Sequence, residues 1–315
     1  MDSDIVSYLE QRLGTVHARL RIGIEEESFP QVFGRGINFF HPENWYSSHS
    51  LLRKFLKLSG FYWRGRGNTL NFKLTRNTLV VPHLPAAFEG YTLLHLSDLH
   101  ADMYPPALEA LIERIRDIRY DAVVMTGDYR AWTFGEIEAS MAGMRALRDA
   151  LKGPVYGVLG NHDNIRMVPE LEAMGIRMLL NESVALQRDG QTIHLAGVDD
   201  AHYYRVDNIE KAAQEIPLEA VSILLSHTPE IFRQATHAGF DLFFCGHTHG
   251  GQICLPGGIP LTLDARCPRH LGTGAWQHGR MQGYTSAGVG TSIVEVRINC
   301  PPEIALHVLS ANGDQ

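Results

Sequence analysis

Short apolar runs alternate with helix-length amphipathic segments from Tyr91 to Leu159, and this alternation restricts the fold more than any other feature of the 315-residue chain. Tyr91 to Leu96, Ala122 to Met125 and Val155 to Leu159 read as buried strands, with helices over Pro105 to Ile118 and Ile137 to Leu151 between them. Strands in series with helices give a layered α/β domain. Farther on, Ile193 to Val198, Ser222 to Leu225, Leu242 to Cys245, Ser292 to Ile298 and Ile304 to Leu309 are strand-like, whereas only Ile209 to Glu215 and Pro229 to Ala238 read as helices. So many strands with so few helices to cover them call for a second sheet packed on the first. A hydrophobic content of 44% is enough to fill such a core.

The chain before residue 85 has a different character, and a boundary is expected there, dividing a 1–85 extension from an 86–315 domain. Ile5, Leu9, Leu13, Val16 and Leu20 keep helical spacing, and Asp2 and Asp4 offer capping oxygens and favourable charge, so one amphipathic helix is expected, docked on the main body or on a second subunit, with membrane contact the alternative. From Asn44 to Phe88 there are seven basic residues and no acidic one. Leu51, Leu52, Phe55 and Leu56 share a helical face, with Arg53, Lys54 and Lys57 elsewhere and Phe61-Tyr62-Trp63 following. Such a segment suits either an anionic membrane surface or a docked helix with snorkelling lysines. Leu70 to Leu74 and Thr78 to Val81 are expected to form a strand pair turned at Arg76-Asn77.

Composition narrows the function classes. A formal net charge of −7 argues against general nucleic-acid binding, for which Arg64-Gly65-Arg66-Gly67 is the only pointer. Cys245, Cys254, Cys267 and Cys300 show no Cys-x-x-Cys spacing and read as buried thiols of a reducing compartment. No run approaches the ~20 apolar residues of a membrane span, and the first residues lack a signal-peptide pattern, so a cytoplasmic protein is expected.

In α/β sheets functional groups collect beyond the carboxyl ends of the strands. Here those positions read Ser97-Asp98-Leu99-His100, Thr126-Gly127-Asp128, Gly160-Asn161-His162-Asp163, Ser226-His227 and Gly246-His247-Thr248-His249. Taken singly, Asp98 and His100 fit a capping pair, Asp128 a turn and Asn161 an N-cap. Five successive strand ends bearing oxygen and imidazole donors fit one shared metal site. His95 and His194 lie inside strand-like runs and read as core or sheet residues. The Asp199 to Tyr204 cluster borders a pocket or forms a turn, with no ligand role assigned.

In this order, Asp-x-His, Gly-Asp, Gly-Asn-His-Asp, His and Gly-His-x-His resemble the five blocks of the calcineurin-like metallophosphoesterase family, over residues from about 88 to 310. The resemblance implies a four-layer sandwich, two mixed β-sheets packed together and flanked by helices, here with an α-helical N-terminal extension. It also implies two divalent cations. Asp98, His100 and His249 would hold one, Asn161, His227 and His247 the other, and Asp128 would bridge them. Such donors suit manganese first, with iron or zinc also fitting. The cations would polarise the phosphoryl oxygens and make water acidic enough to supply hydroxide for in-line attack. The counterpart of His162 stabilises or protonates the departing oxygen, and Asp163 would orient its ring. Gly250-Gly251-Gln252-Ile253, Gly288 to Ser292 and Cys300 to Ile304 are similar to the bacterial branch that includes UDP-2,3-diacylglucosamine hydrolases. A phosphodiester or pyrophosphate is therefore the expected substrate class, a lipid-linked nucleotide among them. A protein or nucleic-acid phosphatase, a nuclease and a silent metal-binding scaffold are the alternatives. After Asp128 the sequence Tyr129-Arg130-Ala131-Trp132 departs from the family's usual wording, and Arg130 is placed either to bind a second phosphate or to pair at the surface.

Overall fold

A computed structural model describes residues 3–27 and 46–312. Its first sheet runs in the order β1 (Lys73–Val80), β14 (Glu303–Ser310), β2 (Thr92–Leu96), β3 (Ala122–Met125), β4 (Val155–Gly157), β5 (Ile176–Met178). Only the β14–β2 pairing is antiparallel. The second sheet runs β12 (Gly274–His278), β13 (Met281–Thr285), β9 (Leu242–Cys245), β8 (Ser222–Leu225), β7 (Gln191–Gly197), β6 (Glu182–Arg188), with antiparallel pairs at its two edges. Both sheets are thus mixed, and β10 (Cys254–Leu255) and β11 (Ile259–Pro260) form a separate antiparallel pair.

Strand periodicity sorts the core into layers. Leu93 of β2 and Ala122 and Val124 of β3 turn toward the second sheet, where they meet Ile223, Leu225, Leu242 and Phe244. Their neighbours Leu94, Leu96, Val123 and Met125 turn outward, under α5 (Pro105–Ile115), α6 (Glu138–Ala150) and α7 (Val168–Ala173). On the far side Ala196, Leu224 and Phe243 are covered by α8 (Ile209–Ala213) and α9 (Phe232–Ala238). The four layers follow from strands apolar on both faces, each fully buried Leu or Phe contributing roughly 1.5–3 kcal/mol. His95 lies between the sheets, 2.9 Å from Thr126 Oγ1 and stacked on Phe244. Burial lowers its pKa to about 3, so it is a neutral core residue. His194 of β7 is a half-buried sheet residue, and all four cysteines are free, Cys245 and Cys254 buried as expected but Cys267 and Cys300 only half-buried.

Four local expectations are corrected. The N-terminal stripe is two helices, α1 (Ser3–Leu13) and α2 (Thr15–Glu27), because Gly14 takes φ +90° between them. Leu9 and Leu13 are buried on the main body, but past the kink Val16 and Leu20 are exposed, and Ala18, Arg21 and Ile22 turn inward. The cap expected of Asp2 lies outside the described residues. Leu70 to Val81 does not turn at Arg76-Asn77: the single strand β1 pairs in parallel with β14 from Lys73 to Val80. In α3 (Tyr46–Leu58) the apolar face divides, Leu56 buried and Leu51 and Phe55 exposed. Ser292 to Ile298 is an irregular crossing segment. Val294 and Val296 pack on Leu56 and on Tyr62 of α4 (Phe61–Asn68), while Arg297 turns into the interior. Its backbone makes tight local turns instead of a ladder, Val294 N–H to Ser292 O (2.7 Å) and Val296 N–H to Val294 O (2.8 Å), Ile293 takes φ +67°, and its pairing is an isolated bridge from Ile298 to Ile253. Among the described residues no helix is long and apolar enough to cross a membrane.

Candidate metal centre

β2, β3 and β4 are neighbours in one sheet and β8 and β9 in the other, so their carboxyl-end loops meet along one rim. Backbone bonds stitch these loops together, Asp98 N–H to Gly127 O (3.0 Å), His100 N–H to Asp128 O (2.9 Å) and Gly246 N–H to His227 O (2.8 Å). All seven expected ligands are buried there.

They form two groups. His249 Nε2 lies 3.1 Å from His100 Nε2 and 3.4 Å from Asp98 Oδ1. His227 Nε2 lies 2.9 Å from Asn161 Oδ1 and 3.1 Å from His247 Nδ1. Asp128 Oδ2 stands between the groups, 3.3 Å from His227 Nε2 and 3.7 Å from His100 Nε2. Two rings have their tautomers fixed from behind: His100 Nδ1 is 2.7 Å from Arg130 O, and His227 Nδ1 is 2.7 Å from Thr126 O. A carbonyl only accepts, so each Nδ1 carries the hydrogen and each Nε2 is turned to the site.

The electrostatics are those of donors crowded together. Burial raises the Asp98 carboxyl above its ordinary pKa. Burial acts the same way on Asp128, but His227, His162 and His100 outweigh it and hold the carboxyl well below the usual range. Burial and the neighbouring cationic groups keep His247 and His249 well below the ordinary imidazole value, leaving lone pairs available. For His227 burial is overcome by Asp128 and Asp98, which raise its pKa to about 10. A divalent cation satisfies the same attraction for positive charge. Imidazole nitrogens facing one another at 3.1 Å beside two buried carboxylates fit such ions.

His162 lies at the edge of this cluster, its Nε2 3.9 Å from Asp128 Oδ2. Its Nδ1 is 3.0 Å from Thr133 Oγ1. Asp163 is held by backbone amides. Its carboxylate accepts from the backbone N–H of Asp128, Tyr129 and Gly160, each at 2.8 Å. It ties the β3 and β4 loops together. Burial and Asp128 raise the Asp163 pKa to about 6, against the pull of those amides. Arg130 is also corrected: it is buried, its Nη2 donates to Gly135 O at 3.3 Å, and it is neither a surface ion pair nor a lining residue of the cavity.

Some supporting residues gave no sequence signal. Arg297 is wholly buried, donates to the carbonyls of Ala287, Gly288 and Gly290, and reaches 3.4 Å from His249 Nδ1. Arg21 of α2 is equally buried, paired with Asp199 at 3.1 Å and Glu25 at 2.7 Å, and donates to Asp163 O at 2.9 Å. Both come from segments remote in sequence, and an isolated arginine has no pattern to betray burial. In front of the donors lies a cavity of about 320 Å³ with one polar end, Asp128, His162 and His247, and an apolar wall that includes Leu52, Ile253 and Val294.

A profile of the family described as calcineurin-like phosphoesterase matches residues 91–251. The chain is 28% identical over 260 residues to the uncharacterized metallophosphoesterase YkoQ of Bacillus subtilis, covering 78% of this chain and 94% of that one. It is 26% identical over 253 residues to the phosphodiesterase YaeI of Escherichia coli, covering 75% and 87%. It is 23% identical over 240 residues to the UDP-2,3-diacylglucosamine pyrophosphatase LpxG of Chlamydia muridarum, covering 58% and 71%.

Proposed function

Since the chain belongs to the calcineurin-like phosphoesterase family, we propose that it is a dinuclear enzyme that hydrolyses a phosphodiester or pyrophosphate whose substituent is apolar. The observation that carries this reading is Asp128 Oδ2 standing between two groups of buried donors. Asp98, His100 and His249 would hold one cation, Asn161, His227 and His247 the other, and Asp128 both, with manganese favoured by the mixture of carboxylate, amide and imidazole donors. When bound, such a pair supplies Lewis acidity at the phosphoryl oxygens and acidifies water. His162, the ring at the rim of the group, would give the proton on its Nε2 to the departing oxygen, with Thr133 holding Nδ1. Asp163 would orient that ring through the loop they share, its carboxylate fixing the amides of Asp128, Tyr129 and Gly160.

The apolar wall of the cavity supports a lipid-linked phosphate such as the UDP-2,3-diacylglucosamine acted on by one relative. Exposed Leu51, Phe55, Leu58 and Trp63, beside Lys54 and Lys57, support presentation of that substrate from an anionic membrane surface. Four free thiols are consistent with the cytoplasmic face.

The test is turnover of bis-p-nitrophenyl phosphate by protein loaded with Mn²⁺, alongside metal analysis. Asp128→Asn should remove metal and rate together, while His162→Ala should keep two ions per chain and lose about 10²–10⁴ in rate. No turnover with Mn²⁺, Fe²⁺, Zn²⁺ or Co²⁺ would refute the reading.

A further inference from the structure

His247 lends only one of its ring nitrogens to the groups described above. Its Nδ1 faces His227 Nε2 at 3.1 Å. Its Nε2 is buried without a hydrogen-bond partner, on a residue only 7% exposed. An orphaned polar atom of this kind costs about 1–3 kcal/mol, so its surroundings call for an explanation.

Beside this ring stand His202, from the loop after β7, and Asp264, from the segment that walls the cavity. The rings of His202 and His247 lie 4.1 Å apart between centroids. One ligating atom from each of His202, His247 and Asp264 falls within 4.8 Å of the others. His202 is also prepared from behind: its Nδ1 is 3.0 Å from Glu230 Oε1, and Glu230 is held in turn by the Arg266 N–H at 2.7 Å. A carboxylate on one imidazole nitrogen directs the other toward a metal and strengthens it as a donor. Two imidazoles and a carboxylate, with a second carboxylate behind, are a donor set for zinc.

We propose that His202, His247 and Asp264 form a third divalent-cation site, joined to the first two through the His247 ring. With Nδ1 serving the pair and Nε2 the third ion, the ring bridges as an imidazolate, and its last proton passes to solvent as zinc enters. Asp264 brings the ion to the cavity wall, where it adds positive charge beside the polar end. The proposal rests on the paired-cation reading only through His247.

The experiment is zinc counting on the full chain. Protein stripped with chelator is reloaded with excess Zn²⁺, desalted and analysed for zinc per chain, and an anomalous-difference map is collected at the zinc edge. The native chain should hold three zinc ions, with one peak among His202, His247 and Asp264. Asp264→Asn and His202→Ala should each hold two. Two ions in the native chain, or a third peak away from those residues, overturns the third site and leaves the pair intact. One ion or none overturns the pair and the third site together. The map of the native chain decides the matter even if a variant fails to fold.

Discussion

Five of the seven proposed ligands, Asp98, His100, Asp128, His247 and His249, have left-handed backbone, with φ between 40° and 72°. Such conformations cost a non-glycine residue of order 1–3 kcal/mol, and they gather where function demands a side chain that relaxed backbone would aim elsewhere. The glycines beside them serve close approach. A methyl group on Gly246 would overlap Ser97 Oγ and Asp98 Oδ2, and one on Gly160 would overlap Asp128 Oδ1. Gly246→Ala must therefore move a ligand carboxylate within a packed core. The expected result is about 1–3 kcal/mol of destabilisation in urea and fewer than two Mn²⁺ per chain; full occupancy at unchanged stability would show the contact to be slack.

At the scale of elements, the kink between α1 and α2 turns an amphipathic segment into a support for the catalytic loops. Gly14 closes α1 by donating to Glu10 O at 3.0 Å and opens α2 by accepting from Ala18 N–H at 3.1 Å. Past that kink, α2 aims Arg21 at Asp199 and at the carbonyl of Asp163. A straight helix would have kept Val16 and Leu20 on the buried stripe. Nothing lies within 4 Å of where a Cβ on Gly14 would stand, so Gly14→Ala isolates the backbone term. It should cost about 1–2 kcal/mol, read as a lower urea midpoint with unchanged slope. An unchanged midpoint would mean the kink carries no strain for an L-residue.

For the molecule as a whole, α3 and the start of α4 put exposed Leu51, Phe55, Leu58, Phe61 and Trp63 beside exposed Lys54 and Lys57. Arg53 is compensated by Glu295 at 2.9 Å, so the cations to test for membrane contact are the exposed Lys54 and Lys57. At about 1 kcal/mol per cation near an anionic surface, the Lys54→Ser/Lys57→Ser double variant should cosediment with phosphatidylglycerol vesicles about thirtyfold more weakly than the native chain. Equal binding would remove the membrane from the proposal. The alternation from Tyr91 onward was enough to reveal β2, β3, β8, β9 and β14 with α5, α6, α8 and α9, since strands buried on both faces are mostly apolar, whereas the short α7, β5, β12 and β13 left no such run. The order of Asp, Asn and His at the strand ends was likewise local information, and those residues do converge. What the sequence by itself determined is thus the layered fold and the list of donors, because both are written in the period and termini of short segments. Tertiary structure alone decided that β1 is a single edge strand, that Ser292 to Ile298 is no strand, that Asp163 ties two loops together, and that Arg21, Arg297, His202 and Asp264 surround the donors. Each of these depends on contacts between segments far apart along the chain, which no local pattern encodes.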